Sequence, residues 1–191
     1  MTWDFYTALI VINLMWLCWL VIWVIASQDV KKSVYRQPAV ERAIFLVLII
    51  VGIIIARHLP YLEGHIFPPT PGTEALGALL TAAGLGWAIW ARRHLGRNWS
   101  GFVTIKEDHE VVQTGPYTIT RHPIYTGILL AVFGSLFALM PSYGGALCVS
   151  LALVGFAIKL HQEERALLKH FPQAYGTYKQ HVRAALVPYL L

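Results

Sequence analysis

From His122 to Ile158 the chain reads HPIYTGILLAVFGSLFALMPSYGGALCVSLALVGFAI, with no Asp, Glu, Lys or Arg in 37 residues. One straight helix of that length is ~55 Å long at 1.5 Å per residue. A bilayer hydrocarbon core is only ~30 Å thick. The break Met140-Pro141-Ser142-Tyr143-Gly144-Gly145 divides the run. The stretch therefore predicts a tight helical hairpin of two membrane spans. Its second helix continues past Lys159 into water, through Glu163 and Glu164 toward His170.

Working outward, Phe5–Ala26 is a second uncharged run. Its length and the lack of a positive leader predict a retained span, not a cleaved signal. Ala43–Ala56 holds fourteen residues between Arg42 and Arg57. A buried helix is the alternative there, but both arginines can snorkel to headgroups, which favours a span. Ala75–Ala91 is another span, with Trp87 and Trp90 as interface anchors and Gly84 and Gly86 as points of close helix contact. The predicted fold is an all-α integral membrane protein of five transmembrane helices with a C-terminal amphipathic helix. It forms one membrane domain, 1–191: spans one to three in 1–91, a polar connector in 92–122, the hairpin in 123–160 and a polar tail in 161–191. Composition agrees. Of 191 residues 57% are hydrophobic and 13% charged, against about 25% charged in ordinary soluble domains. Disordered, collagen-like and ordinary soluble chains are excluded.

Lysine and arginine alternate between the loops. Loop one has Lys31, Lys32, Arg36 and Arg42; loop two has Arg57 alone; the connector has Arg92, Arg93, Arg97, Lys106 and Arg121. The hairpin turn has none, and the tail has Lys159, Arg165, Lys169, Lys179 and Arg183. Fourteen of fifteen thus fall on one side. This predicts an outside N-terminus and a cytoplasmic C-terminus, in the inner membrane if the cell is bacterial. The net charge of +5 is read as topology and attraction to anionic membrane lipids, not as nucleic-acid binding. Cys18 and Cys148 lie in apolar runs and read as packing residues. Eight histidines include no HxxxH or HExxH pair, so no metal site is expected. No P-loop or strand-borne GxGxxG is present.

The polar chemistry gathers in the connector and tail. A transporter or channel more often carries ionisable groups mid-span. Here the mid-span polar residues are mainly Asn13, Thr81, Ser135 and Ser150, which suit interhelical hydrogen bonding. The connector holds Asn98-Trp99-Ser100, His109-Glu110-Val111-Val112, Gly115-Pro116-Tyr117 and Arg121-His122-Pro123-Ile124-Tyr125-Thr126-Gly127. Taken singly, each piece has a plain structural reading. Gly115-Pro116 is a turn, Pro123 opens a helix, Arg121 marks a cytoplasmic end and Tyr125 is an interface aromatic. In the tail, Lys159 and Glu163 share a helix face. Phe171, Tyr175 and Tyr178 form an apolar stripe at i, i+4, i+7.

Together these pieces resemble the isoprenylcysteine carboxyl methyltransferases and their prokaryotic relatives. The resemblance runs from about Leu95 to Pro188. It rests on Leu95-Gly96-Arg97-Asn98-Trp99-Ser100, on His109…Val111-Val112…Gly115…Tyr117, on Arg121–Gly127, on Glu163-Glu164 and on Phe171…Tyr175…Tyr178. It implies an integral membrane enzyme that uses S-adenosyl-L-methionine to methylate the carboxylate of a lipid-modified cysteine. By similarity, His109, Glu110, Val111, Val112, Tyr117, His122, Pro123, Ile124, Tyr125 and Glu163 fall at cofactor-contacting positions. Arg121 and Lys159 fall at catalytic, acceptor-facing ones. Lys159 replaces the family's usual arginine, keeping the charge but losing the bidentate fork. The expected partners are a lipophilic methyl acceptor and membrane lipids. Relatives methylate phospholipid amines or small thiols, so N- and S-methylation stay open as alternatives. A small transporter or membrane scaffold is the non-enzymatic alternative.

Overall fold

The computed structural model describes residues 4–28, 33–36, 47, 51, 54, 60–99, 104–106 and 111–186. Among the described residues five α-helices can be followed from end to end: α1 Phe5–Ser27, α2 Pro71–Leu95, α3 Pro123–Leu139, α4 Tyr143–His170 and α5 Pro172–His181. Of these, α1, the helical stretch Pro71–Asn98 and α4 are long and apolar enough to cross a membrane; α3 is a shorter apolar helix. The region expected to hold span two, 43–56, lies outside the described residues except Val47, Val51 and Ile54. Those three are helical and exposed.

Local chemistry explains where the helices start. The Asp4 carboxylate accepts from the Thr7 N–H at 2.8 Å and caps α1. At α2, Thr70 and Thr73 cap each other's backbone N–H at 3.2 and 2.9 Å, and Pro71 fills a first-turn position that needs no donor. Pro123 and Pro172 start α3 and α5 in the same way. Ser142 caps α4 through the Gly145 N–H. The break in the long apolar run is thus Met140–Ser142. Tyr143, Gly144 and Gly145 already belong to the first turn of α4. A Cβ on Gly145 would collide with the Met140 carbonyl, which is why the chain can turn so tightly there. Helix α4 has 28 residues, ~42 Å of rise. It exceeds a ~30 Å hydrocarbon core, so one end must leave the lipid.

The centre of the bundle is the antiparallel contact of α2 with α3. Gly77 faces Gly134 and Ala138, and Gly84 faces Gly127 and Ala131. At each glycine the missing side chain lets backbone meet backbone, the small-residue packing characteristic of helices in lipid. Gly86, expected at the same kind of contact, has open space around it. Thr81 is fully buried in this seam. Its hydroxyl bonds the Gly77 carbonyl at 2.9 Å and lies 3.1 Å from Ser135 Oγ. Ser135 Oγ also accepts from Trp16 Nε1 at 3.0 Å, which brings in α1. Asn13 and Ser150 instead bond carbonyls of their own helices.

Helix α1 adds Ile12 and Trp19 to the core, while Ile10, Leu14, Leu17, Val21 and Val24 stay exposed. Such a surface is stable only where the surroundings are themselves apolar. Trp90 is exposed and packs edge-on to Trp87, as an interface anchor would.

Segments that the charge pattern assigns to one side of the bundle meet one another. Ser33–Arg36, from loop one, pairs antiparallel with Thr104–Lys106, from the connector. This short ladder departs from the purely helical expectation. At the opposite end, Tyr143 N–H donates to Gly64 O at 3.1 Å and Ile66 N–H to Pro141 O at 2.9 Å, joining loop two to the hairpin break.

Candidate functional site

The described side chains of the connector and tail converge where α3 begins and α4 runs out. Pro123 starts α3, so His122 is its N-cap and Tyr125 lies in its first turn. Tyr125 OH donates to Glu163 Oε2 at 2.6 Å. Its ring stacks on His122, with centroids 5.4 Å apart and planes within 4°. Phe156 packs against the other side of the region, 5.2 Å from Tyr125. Lys159 Nζ lies 5.1 Å above the Tyr125 ring, a cation–π distance. Glu163 and Lys159 are one helical turn apart on α4, which brings both to the same tyrosine. A carboxylate, a cation and two stacked aromatic rings thus share one corner. Glu163 remains partly open, with 31% of its side chain exposed.

Glu164 points elsewhere, because successive helix residues are ~100° apart. It is buried, and its Oε1 accepts from Arg121 Nε at 2.6 Å. Its Oε2 meets Lys179 Nζ, on α5, at 2.5 Å. Arg121 Nη1 donates to the carbonyls of Val182 at 2.8 Å and Arg183 at 2.5 Å. The tail beyond α5 then runs alongside the connector. Arg121 N–H donates to Ala184 O at 2.9 Å and His122 N–H to Ala185 O at 3.1 Å. Thr120 Oγ1 donates to Ala185 O at 3.0 Å and Thr126 Oγ1 to Leu186 O. Arg121 therefore spends Nε and Nη1 inside the protein. The sequence reading assigned it to an acceptor; its observed place is a buried latch between connector, α4 and tail.

The connector approaches the corner from the side of α2. Val111 and Val112 are half-buried, and Tyr117 and Ile124 are buried. The Tyr117 carbonyl accepts from Tyr178 OH at 2.8 Å. Burial first, and then the Glu163 charge, push the Tyr117 hydroxyl well above its ordinary range. Burial does the same to Tyr178, so it stays a neutral donor. Tyr175 and Tyr178 fulfil the apolar stripe expected of the tail, with both rings buried. Gly115 has φ +59°, and a Cβ there would meet the His94 ring at 2.6 Å. His94 also holds Thr114 Oγ1 at 2.7 Å and stacks on Tyr117. His109 and Glu110 lie outside the described residues.

Lys179, His94 and Thr120 are the parts that sequence reasoning did not single out, and Glu164 and Thr126 stood within quoted motifs with no role assigned. Glu164 carried one signal, its place beside Glu163; the others acquire meaning only through contacts distant in sequence. No cluster of His, Cys, Asp or Glu suited to a metal occurs among the described residues.

Residues 76–169 match the model of the isoprenylcysteine carboxyl methyltransferase (ICMT) family. The chain is 29% identical over 109 residues to the protein-S-isoprenylcysteine O-methyltransferase of Saccharomyces cerevisiae, covering 56% of this chain and 46% of that protein. Its fold is similar to that of the eukaryotic intramembrane Ras methyltransferase ICMT, with a TM-score of 0.51 and 23% identity, covering 81% of this chain and 54% of that one. The chain thus spans about half the length of these relatives.

Proposed function

We propose that this chain is a member of the isoprenylcysteine carboxyl methyltransferase family, whose model matches residues 76–169, and that it is an S-adenosyl-L-methionine-dependent methyltransferase of a lipophilic acceptor at the membrane surface. The reaction is carboxyl O-methylation of an isoprenylcysteine-like substrate. The observation that carries this reading is the corner where Glu163, Lys159 and the His122–Tyr125 stack meet. The donor set fits the cofactor's chemistry. Glu163, partly exposed, suits its ammonium group, and the half-buried Val111 and Val112 with Tyr117 suit its adenine. The Tyr125 ring face tolerates a cation, as the Lys159 contact illustrates. Backbone N–H groups of the connector suit its carboxylate, with His109 and Glu110 completing the set by similarity alone. Pro123 and Ile124 act through the start of α3: they fix where His122 and Tyr125 stand.

When bound, S-adenosyl-L-methionine would supply an electrophilic methyl on a cationic sulfur for direct transfer to a carboxylate oxygen, with the neutral thioether as the leaving group. The protein then needs neither a nucleophile nor a general base. Its residues supply proximity and alignment, worth ~7–11 kcal/mol in well-oriented systems. Lys159 steers an anionic acceptor by charge. Arg121 shapes the corner from behind, through Glu164 and the tail. In this reading the N-terminus is outside, five spans cross the bilayer, α3 and α4 form its hairpin, and connector and tail face the cytoplasm. A lipid tail approaches from the bilayer, while the water-soluble cofactor approaches from the cytoplasm.

The test is a product assay with radiolabelled S-adenosyl-L-methionine and a panel holding a farnesylcysteine analogue, phospholipids and small thiols. Base-labile methyl ester on the farnesylcysteine analogue is expected, with Lys159→Ala raising the acceptor KM more than the cofactor KM. Base-stable label in lipid amines or thioethers overturns the acceptor assignment. Absence of calorimetric cofactor binding to the full chain overturns the enzyme reading.

A further inference from the structure

The two adjacent carboxylates on α4 sit in opposite electrostatic settings. Glu163 faces the partly open corner, whereas Glu164 is 5% exposed and has both oxygens engaged. Its Oε1 bonds Arg121 and lies 3.5 Å from His122 Nε2; its Oε2 bonds Lys179. The His122 ring therefore lies between two carboxylates, with Nδ1 3.8 Å from Glu163 Oε2 on its other edge. Its backbone N–H is tied to Ala185 O. The buried Nε2 makes no hydrogen bond among the described residues, so the two carboxylates flank the ring by charge contact while the backbone is tied to the tail, and the ring face is the platform on which Tyr125 stacks.

We propose that Glu164 is a positioning residue for the cofactor site: it sets the His122 ring, and through it the Tyr125 platform, without touching the cofactor. The inference rests on the cofactor reading above. Three features carry it. Glu164 is buried, it has an oxygen on each of two cations from different segments, and it is near His122 Nε2 while Glu163 is near Nδ1, so each carboxylate meets its own ring nitrogen. The pair divides the work, Glu163 facing the ligand and Glu164 holding the wall. Carboxylates that orient histidines in this indirect way change ligand affinity by about 10- to 100-fold when removed in metal sites. The geometric reason, loss of a fixed ring orientation, is the same here.

The test is calorimetric titration of full-chain wild type, Glu164→Gln, Glu164→Asp, His122→Ala and the double variant Glu164→Gln/His122→Ala with S-adenosyl-L-methionine in detergent. Thermal unfolding is followed alongside. Wild type binds; if it does not, the cofactor reading itself fails, and that outcome is distinct from the ones below. Glu164→Gln is expected to weaken binding about tenfold, and the double variant to bind no more weakly than His122→Ala alone. That non-additivity is the signature of one residue acting through another. Additive losses, or wild-type affinity in folded Glu164→Gln, overturn the proposal. Should Glu164→Gln fail to fold because buried Arg121 loses its counter-charge, Glu164→Asp decides. It keeps the charge and draws the carboxylate back from His122, so folded protein with weaker binding supports the proposal and unchanged affinity overturns it.

Discussion

Substituting Gly127 by alanine tests whether helix packing in the bundle sets the geometry of the site. Gly127 lies two residues beyond Tyr125 on α3 and faces Gly84 and Ala88 of α2. A Cβ at 127 would stand 2.6 Å from Gly84 O and 2.7 Å from Ala88 N, where ordinary contact begins at 3.4 Å. The helices must therefore separate by about 0.8 Å (3.4 less 2.6) at that point. Both neighbours are backbone, so no side chain can swing aside. Overpacking of this kind costs about 1–3 kcal/mol. For a chain of this length that lowers the melting temperature by about 2–12 °C. The control is Gly86→Ala, on the facing helix α2 but with open space around it. There alanine removes the helix-interior penalty of glycine, and stability is expected to hold or rise by up to about 1 kcal/mol. The separation also moves the first turn of α3, so S-adenosyl-L-methionine affinity should fall in Gly127→Ala and hold in Gly86→Ala. Thermal unfolding in detergent and calorimetric titration read the two quantities. Equal melting temperatures for Gly127→Ala and wild type refute the packing argument. Destabilisation with wild-type affinity refutes the coupling of the seam to the site.

Two further outcomes follow from the same geometry. Tyr125→Phe removes the donor to Glu163 while keeping the ring; hydrogen bonds to charged groups are worth about 1.5–3 kcal/mol, so cofactor affinity should fall about tenfold or more by calorimetry, and unchanged affinity places Glu163 outside the site. Gly115→Ala combines a left-handed φ with a clash on His94, and a left-handed alanine alone costs about 1–2 kcal/mol. His94→Ala in the same chain should restore part of the lost melting temperature, and no recovery shows that the ring is not the obstacle.

Much of this protein was legible from its residues in order. An uncharged run of 37 residues with one break must be two helices, because lipid admits no unsatisfied backbone and limits span length. The start of α3 at Pro123 and the shared helix face of Lys159 and Glu163 follow from local rules that need no tertiary structure. What the order of residues left open was which charge serves which purpose. Arg121 and Lys159 are both cations beside apolar runs, and Glu163 and Glu164 are neighbours of one type. Only packing separates them. Arg121 and Glu164 turn inward and satisfy each other among the tail carbonyls, where leaving a charge unpaired is costly. Lys159 and Glu163 turn to the Tyr125 corner. Likewise Gly84 and Gly86 read alike in the sequence, and only the position of α3 makes one of them indispensable. Local rules act within a few residues and so determined where the described helices start and how they are capped; partners forty to sixty residues apart are chosen by how the helices pack.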